Sequence, residues 1–126
     1  MKIFFALFIT VAALFSDHIR WQNDFDAALF KAKAQKKELL LLVLKKECAA
    51  SKKIFVEVFS DKEVQKEVNR KYIAVVVFFE YENSYPIELF YTQTFPTLFF
   101  VSSRDESYLQ KPLRGYFTKE DVLKSL

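Results

Sequence analysis

The stretch Leu39-Leu40-Leu41-Leu42-Val43-Leu44, followed by Lys45-Lys46-Glu47-Cys48-Ala49-Ala50-Ser51, decides how this chain is read. Six consecutive apolar residues with a charged cluster on each side have the form of a strand buried on both faces. A buried helix would also be apolar, but six residues is short for one. Three charged residues then lead to Cys48, the single cysteine of the chain. Beyond it Ile54, Phe55, Val58 and Phe59 form an apolar face at helical spacing, so Cys48 stands where a strand has ended and a helix begins.

Working outward, Asn23 or Asp24 can cap an upstream helix in which Phe25, Ala28, Leu29 and Ala32 recur, ending near residues 35–37. Downstream, Ser60-Asp61-Lys62-Glu63 has the form of a capping box, Ser first and Glu three later, opening a second helix to about Arg70. Residues 72–79 form another apolar, β-branched run and a second buried strand. Asn83-Ser84-Tyr85-Pro86 interrupt it, and a short helix is expected over residues 87–91. Phe95-Pro96-Thr97 lead into a third strand over 98–101, and a polar turn covers 102–106. Residues 108–110 and 113–116 are expected to make a fourth, edge-like strand, with Pro112 at an edge or bulge. Thr118 caps a last helix, with Asp121 three residues on. Strands alternating with helices, then a hairpin and a closing helix, predict an α/β fold: a three-layer α/β/α sandwich around a mixed sheet of four to five strands.

At 126 residues the chain is read as one domain, and its 52% apolar and 17% aromatic content suffices for a core. One glycine and three prolines argue against a low-complexity chain. The net charge of +3 is too mild to imply a nucleic-acid or membrane-surface partner. Lysines alternate with acids, as in Lys62, Glu63, Lys66 and Glu67, the pattern of a solvated helix face. No basic stripe with interleaved aromatics is present, so no nucleic-acid partner is expected.

Residues 1–16 read as an export signal preceding a domain over 17–126. Lys2 supplies a positive start, residues 3–15 are apolar except Thr10, and small Ser16 precedes Asp17. A membrane span needs about 20 residues, so this shorter run is read as a cleaved signal. It would be the chain's only membrane contact if uncleaved. Export, with a bacterial periplasmic location, would put Cys48 in a disulfide-permissive compartment, where one cysteine cannot pair internally.

A cysteine at a helix start faces unpaired N–H groups and the positive end of the dipole, both of which favour the thiolate. Lys45, Lys46, Lys52 and Lys53 flank it and add to that effect, while Glu47 opposes it. Ser51, at i+3, is a residue type that can donate a hydrogen bond to the thiolate; the alternative is an ordinary polar residue on the first turn. His18, the only histidine, reads as solvated. One Cys and one His cannot build a structural zinc site. No metal and no cofactor are expected.

The element order, with a cysteine after the first central strand and a proline before the third, resembles the thioredoxin superfamily. It is most similar to small exported thioredoxin-like proteins. Their W-x3-F-x2-A-x3-A opening helix corresponds to Trp21, Phe25, Ala28 and Ala32. Their C-x-x-C appears as Cys48-Ala49-Ala50-Ser51, followed by Val58-Phe59-Ser60-Asp61. Phe95-Pro96-Thr97-Leu98 is similar to their cis-proline segment, and Gly115-Tyr116 precedes the last helix. The resemblance runs from Trp21 to the C-terminus.

It implies Cys48 as the attacking nucleophile with Ser51 beside it. It also implies a cis bond before Pro96, which would turn the backbone of Phe95 toward Cys48 to pair with an extended substrate peptide. The departures bear on function. Ser51 replaces the second cysteine, and a hydroxyl cannot attack a mixed disulfide. Glu47 stands where a Trp is common, the central strand lacks the buried acid of thioredoxins, and Phe95 is larger than usual before the proline. Two functions are therefore expected. One is thiol–disulfide exchange through a single cysteine, as disulfide isomerisation or as a mixed disulfide with a protein, a peptide or a low-molecular-weight thiol. The other is a redox-inactive module binding a partner protein or peptide through the loops around Tyr85, Tyr91 and Phe95, with Tyr81 a further loop aromatic near the proline expected at a surface.

Overall fold

A computed structural model describes residues 18–126; the expected export signal lies outside the described residues. The elements are α1 (Phe25–Gln35), β1 (Glu38–Leu44), α2 (Ala49–Phe59), α3 (Lys62–Lys71), β2 (Tyr72–Phe78), a 3-10 turn (Glu82–Ser84), β3 (Thr97–Val101), β4 (Leu113–Arg114) and α4 (Lys119–Ser125). The strands form one mixed sheet in the order β2-β1-β3-β4. β1 runs parallel to β2 and antiparallel to β3. Gln22 adds a one-residue parallel bridge to Val75 on the outer side of β2.

β1 is a continuous apolar run because it is covered on both sides. Its side chains alternate between two cores. Leu40, Leu42 and Leu44 face one that includes Ile54, Val58, Val64, Val68 and Val122, so α2, α3 and α4 lie on that side. Leu39, Leu41 and Val43 face the other, where Phe25, Ala28 and Ala32 bring α1 down. The two alanines put no bulk between helix and sheet. The architecture is the three-layer sandwich predicted from the element order.

Four local expectations are corrected. The N-cap of α3 is Asp61, whose carboxylate accepts from the Glu63 and Val64 N–H groups, while Ser60 closes α2. A carboxylate is the stronger acceptor and suits the positive end of the helix. Residues 87–91 are not a helix. Pro86 C=O accepts from the Leu89 and Phe90 N–H groups in a single turn held between two buried rings, Tyr85 and Phe90. The second strand stops at Phe78 rather than residue 79. The fourth strand is only Leu113–Arg114, and Tyr108 keeps a lone bridge to Val101. Pro112 has no N–H to donate, and Gly115 turns away at φ 76°.

Candidate functional site

Cys48 is the N-cap residue of α2, in extended backbone at φ −109° and ψ 115°. It is half-buried. Its pKa is lowered, first by the Ser51 hydroxyl, then by the Ser51 N–H; burial opposes the shift, and the Ala50 N–H and the Lys45 charge assist it. The neutral thiol forms no side-chain capping bond. Sulfur is a weak acceptor until it ionises, and these groups act on the anion.

Ser51 is buried, and its Oγ accepts the Lys45 N–H at 3.2 Å. That bond ties the helix start to the end of β1 and leaves the hydroxyl hydrogen free to point at sulfur. The two residues expected to act together are thus brought together.

The lysines act differently from expectation. Lys45 is the only one among the named causes of the Cys48 shift, and it comes last. Lys46 Nζ lies 4.3 Å from the Tyr81 ring centroid, and Lys53 Nζ lies 5.2 Å from that of Tyr116. Those cations are engaged by aromatic faces. Glu47 occupies left-handed backbone at φ 53°, and its charge is felt by Lys46.

The register Val43↔Thr97 places the chain just before β3 at the same end of the sheet as the Cys48 turn. The Phe95–Pro96 peptide bond is cis. Pro96 is buried, and its C=O accepts the Gly115 N–H at 2.8 Å. The Phe95 ring packs on Phe79 with centroids 5.0 Å apart, and Lys45 Nζ lies over it at 5.8 Å. Phe95 therefore touches the loop that leads to Cys48. Of the aromatics expected at a surface, Tyr81 and Tyr91 are exposed. Tyr85 is corrected: it is 5% exposed and belongs to the α1-side core, and burial pushes its phenol up to about 12.

Two features escaped the sequence reading. Thr97 Oγ1 donates to Thr94 C=O at 2.5 Å and lies 2.9 Å from Thr92 Oγ1, a buried brace under the Phe95–Pro96 turn. A Thr-x-Thr-x-x-Thr spacing around the proline was the available signal. Beside the Cys48 turn runs an apolar groove of about 560 Å³, floored by Leu44, Ser51, Phe55, Val76 and Phe78. It is assembled from three elements, so no local pattern announces it. Among the described residues, no group of three or more His, Cys, Asp or Glu could hold a metal ion.

A family model described as thioredoxin-like matches residues 20–103. The chain belongs to this thioredoxin-like family. Its fold is similar to that of a thioredoxin from Thermus thermophilus, with a TM-score of 0.73 at 18% identity over 85% of this chain and 83% of that one. It is similar to the DsbH oxidoreductase, with a TM-score of 0.72 at 17% identity, covering 86% of this chain and 82% of that one. A protein from Bacteroides thetaiotaomicron described as a proposed disulphide-isomerase gives a TM-score of 0.71 at 24% identity, covering 87% and 91%. No curated protein matches the chain significantly.

Proposed function

We propose that this thioredoxin-like protein is exported, to a bacterial periplasm, and carries out thiol–disulfide exchange through Cys48 alone. The observation that carries the reading is the Cys48 thiol at the start of α2, its anion favoured by the Ser51 hydroxyl and two first-turn N–H groups. Names among the structural neighbours, an oxidoreductase and a proposed disulphide-isomerase, point the same way. Export is supported by the apolar residues 3–15 behind Lys2.

In the proposed reaction the Cys48 thiolate attacks one sulfur of a substrate disulfide. A Cys48–substrate disulfide forms, the substrate S–S bond breaks, and the second substrate sulfur leaves as a thiolate that takes a proton from water. A thiolate of the same substrate, or a low-molecular-weight thiol, then attacks the substrate sulfur of the mixed disulfide and releases Cys48 as thiolate. Each step exchanges one disulfide for another, so no net electrons are required. Phe95 and Pro96 would border the substrate chain, and the groove beside Ser51 offers an apolar side chain a place to lie.

The test is the rate of Cys48 alkylation against pH. A fast reaction with a midpoint below the free value of about 8.5 supports the reading. A midpoint at or above that value, or reaction only on unfolding, overturns it. The exposure of Tyr81, Leu89 and Tyr91 favours a second reading, a redox-inactive module that binds a partner protein or peptide. Capture of a partner that survives Cys48→Ser and fails on Tyr91→Ala would select that reading.

A further inference from the structure

The mild net charge of the chain conceals a strong asymmetry. At the end of the sheet where β1 begins, a broad concavity of about 810 Å³ is lined by Lys33, Lys36, Lys37, Arg70, Lys71 and Arg104, with Glu38 as its single acid. An adjoining concavity adds Arg20 and Lys31, shares Lys37 and carries no acid. Glu38 is already used, accepting from the Ser103 N–H at 3.1 Å and its hydroxyl at 3.3 Å. Some of the cations are used too. Arg70 pairs with Glu67 at 2.8 Å, Lys37 donates to the Asn69 C=O, and Lys71 donates to the Leu126 C=O. Arg20, Lys31, Lys33, Lys36 and Arg104 form no ion pair among the described residues. Lys33 and Lys36 sit at the C-terminal end of α1, where a cation suits the helix dipole, and the Arg104 charge is felt by Asp105, but Arg20 and Lys31 have no such duty.

The chain enters the domain at the rim of this basin. The His18 C=O accepts from Asn69 Nδ2 at 2.8 Å, and Asn69 lines the adjoining concavity. We infer that this basic end docks on an anionic bilayer surface, its free cations facing lipid phosphates. The charges come from separate elements around an open basin, which suits an array of headgroups better than a single bound anion. Cys48 lies past the far end of β1, a seven-residue strand of about 20 Å. Docking would therefore hold the thiol away from the lipid and toward solvent.

The experiment is co-sedimentation of the full chain with phosphatidylglycerol–phosphatidylcholine vesicles and with phosphatidylcholine vesicles at about 0.1 M salt. Each cation near an anionic surface contributes about fivefold in partitioning. The variant Lys33→Gln/Lys36→Gln/Arg104→Gln should lose about a hundredfold of the preference for anionic vesicles. A double variant, Arg20→Gln/Lys31→Gln, should lose about twenty-five-fold. A control triple with the same change of charge at the other end of the sheet, Lys52→Gln/Lys53→Gln/Lys62→Gln, should retain the preference. Equal binding to neutral and anionic vesicles would overturn the inference, as would equal losses in basin and control triples. So would basin-dependent binding to a DNA oligonucleotide without vesicle binding. Cys48 alkylation is unaffected by any of these outcomes, so the redox reading stands or falls separately.

Discussion

Replacing Ser51 by alanine separates two jobs of one hydroxyl. Its oxygen accepts the Lys45 N–H at 3.2 Å, and its hydrogen favours the Cys48 thiolate. Removing the acceptor leaves a part-buried N–H unpaired, which costs about 1–3 kcal/mol; the long bond places the loss near the lower end, about 1–2 kcal/mol. For a domain of this size that is a fall in Tm of about 5–10 °C. The second job is read by pH. The Cys48 pKa is lowered in the folded protein. Thiolate stabilisation is therefore fully present above the free cysteine value of about 8.5, and is lost as pH falls through the lower folded value. Wild type should gain stability with rising pH across that window, and Ser51→Ala should gain less. Its alkylation midpoint should rise, and Ser51→Thr should restore part of it. In a Cys48→Ser background the pH-dependent difference between Ser and Ala at position 51 should vanish, while the Lys45 N–H cost persists. An unchanged alkylation midpoint in Ser51→Ala would refute the assignment of the hydroxyl as the main support of the thiolate.

Ser51→Cys should place a second sulfur against Cys48 and give a monomer whose two thiols disappear together on mild oxidation. Thiol titration and non-reducing electrophoresis check this, and disulfide-linked dimers alone would count against the i,i+3 geometry. Gly115→Ala must hold an alanine at φ 76° with its Cβ 3.3 Å from Thr94 Cγ2. A loss of about 1–2 kcal/mol is expected in urea unfolding, with a loss near zero meaning that the Gly115–Pro96 contact readjusts freely. Thr97→Val keeps the shape but removes the hydroxyl under the Phe95–Pro96 turn. It should cost about 1–3 kcal/mol and slow any Cys48 exchange with peptide disulfides more than alkylation by a small reagent. Equal effects on the two reactions would confine this brace to stability.

The parts of this fold that could be read from sequence are those whose signal is local. The run at 39–44 is apolar at every position because both faces of β1 are covered, and that fact survives without coordinates. The Thr118–Asp121 capping box is equally local, and both reciprocal bonds form. At Ser60-Asp61 two adjacent residues of similar chemistry competed for one N-cap, and a spacing rule could not weigh hydroxyl against carboxylate. Between β2 and β3 the chain is organised by Tyr85 and Phe90 reaching into the α1-side core and by Tyr108 stacking on Phe90 at 5.8 Å. Tertiary contacts of that kind have no period, so an expected helix became a turn.

At the candidate site the same distinction separates position from effect. That Cys48 starts a helix followed from the strand before it and the apolar spacing after it, and so did the nearness of Ser51. Which neighbour governs the thiol did not follow, because a lysine's charge lies several bonds from its backbone. Four cations beside Cys48 in sequence suggested a shared electrostatic effect, yet Lys46 and Lys53 extend over Tyr81 and Tyr116, rings supplied by other parts of the chain. The short Ser51 side chain, fixed on the first turn and bonded to Lys45, has far less freedom and so stays beside Cys48, where its position in the sequence puts it. The basin at the opposite end shows the converse case. Its cations span Arg20 to Arg104 and lie among interleaved acids in the sequence, so a net charge of +3 looked featureless until the sheet gathered them. Short side chains on regular elements carry their roles in the sequence, whereas long charged ones acquire theirs from the fold.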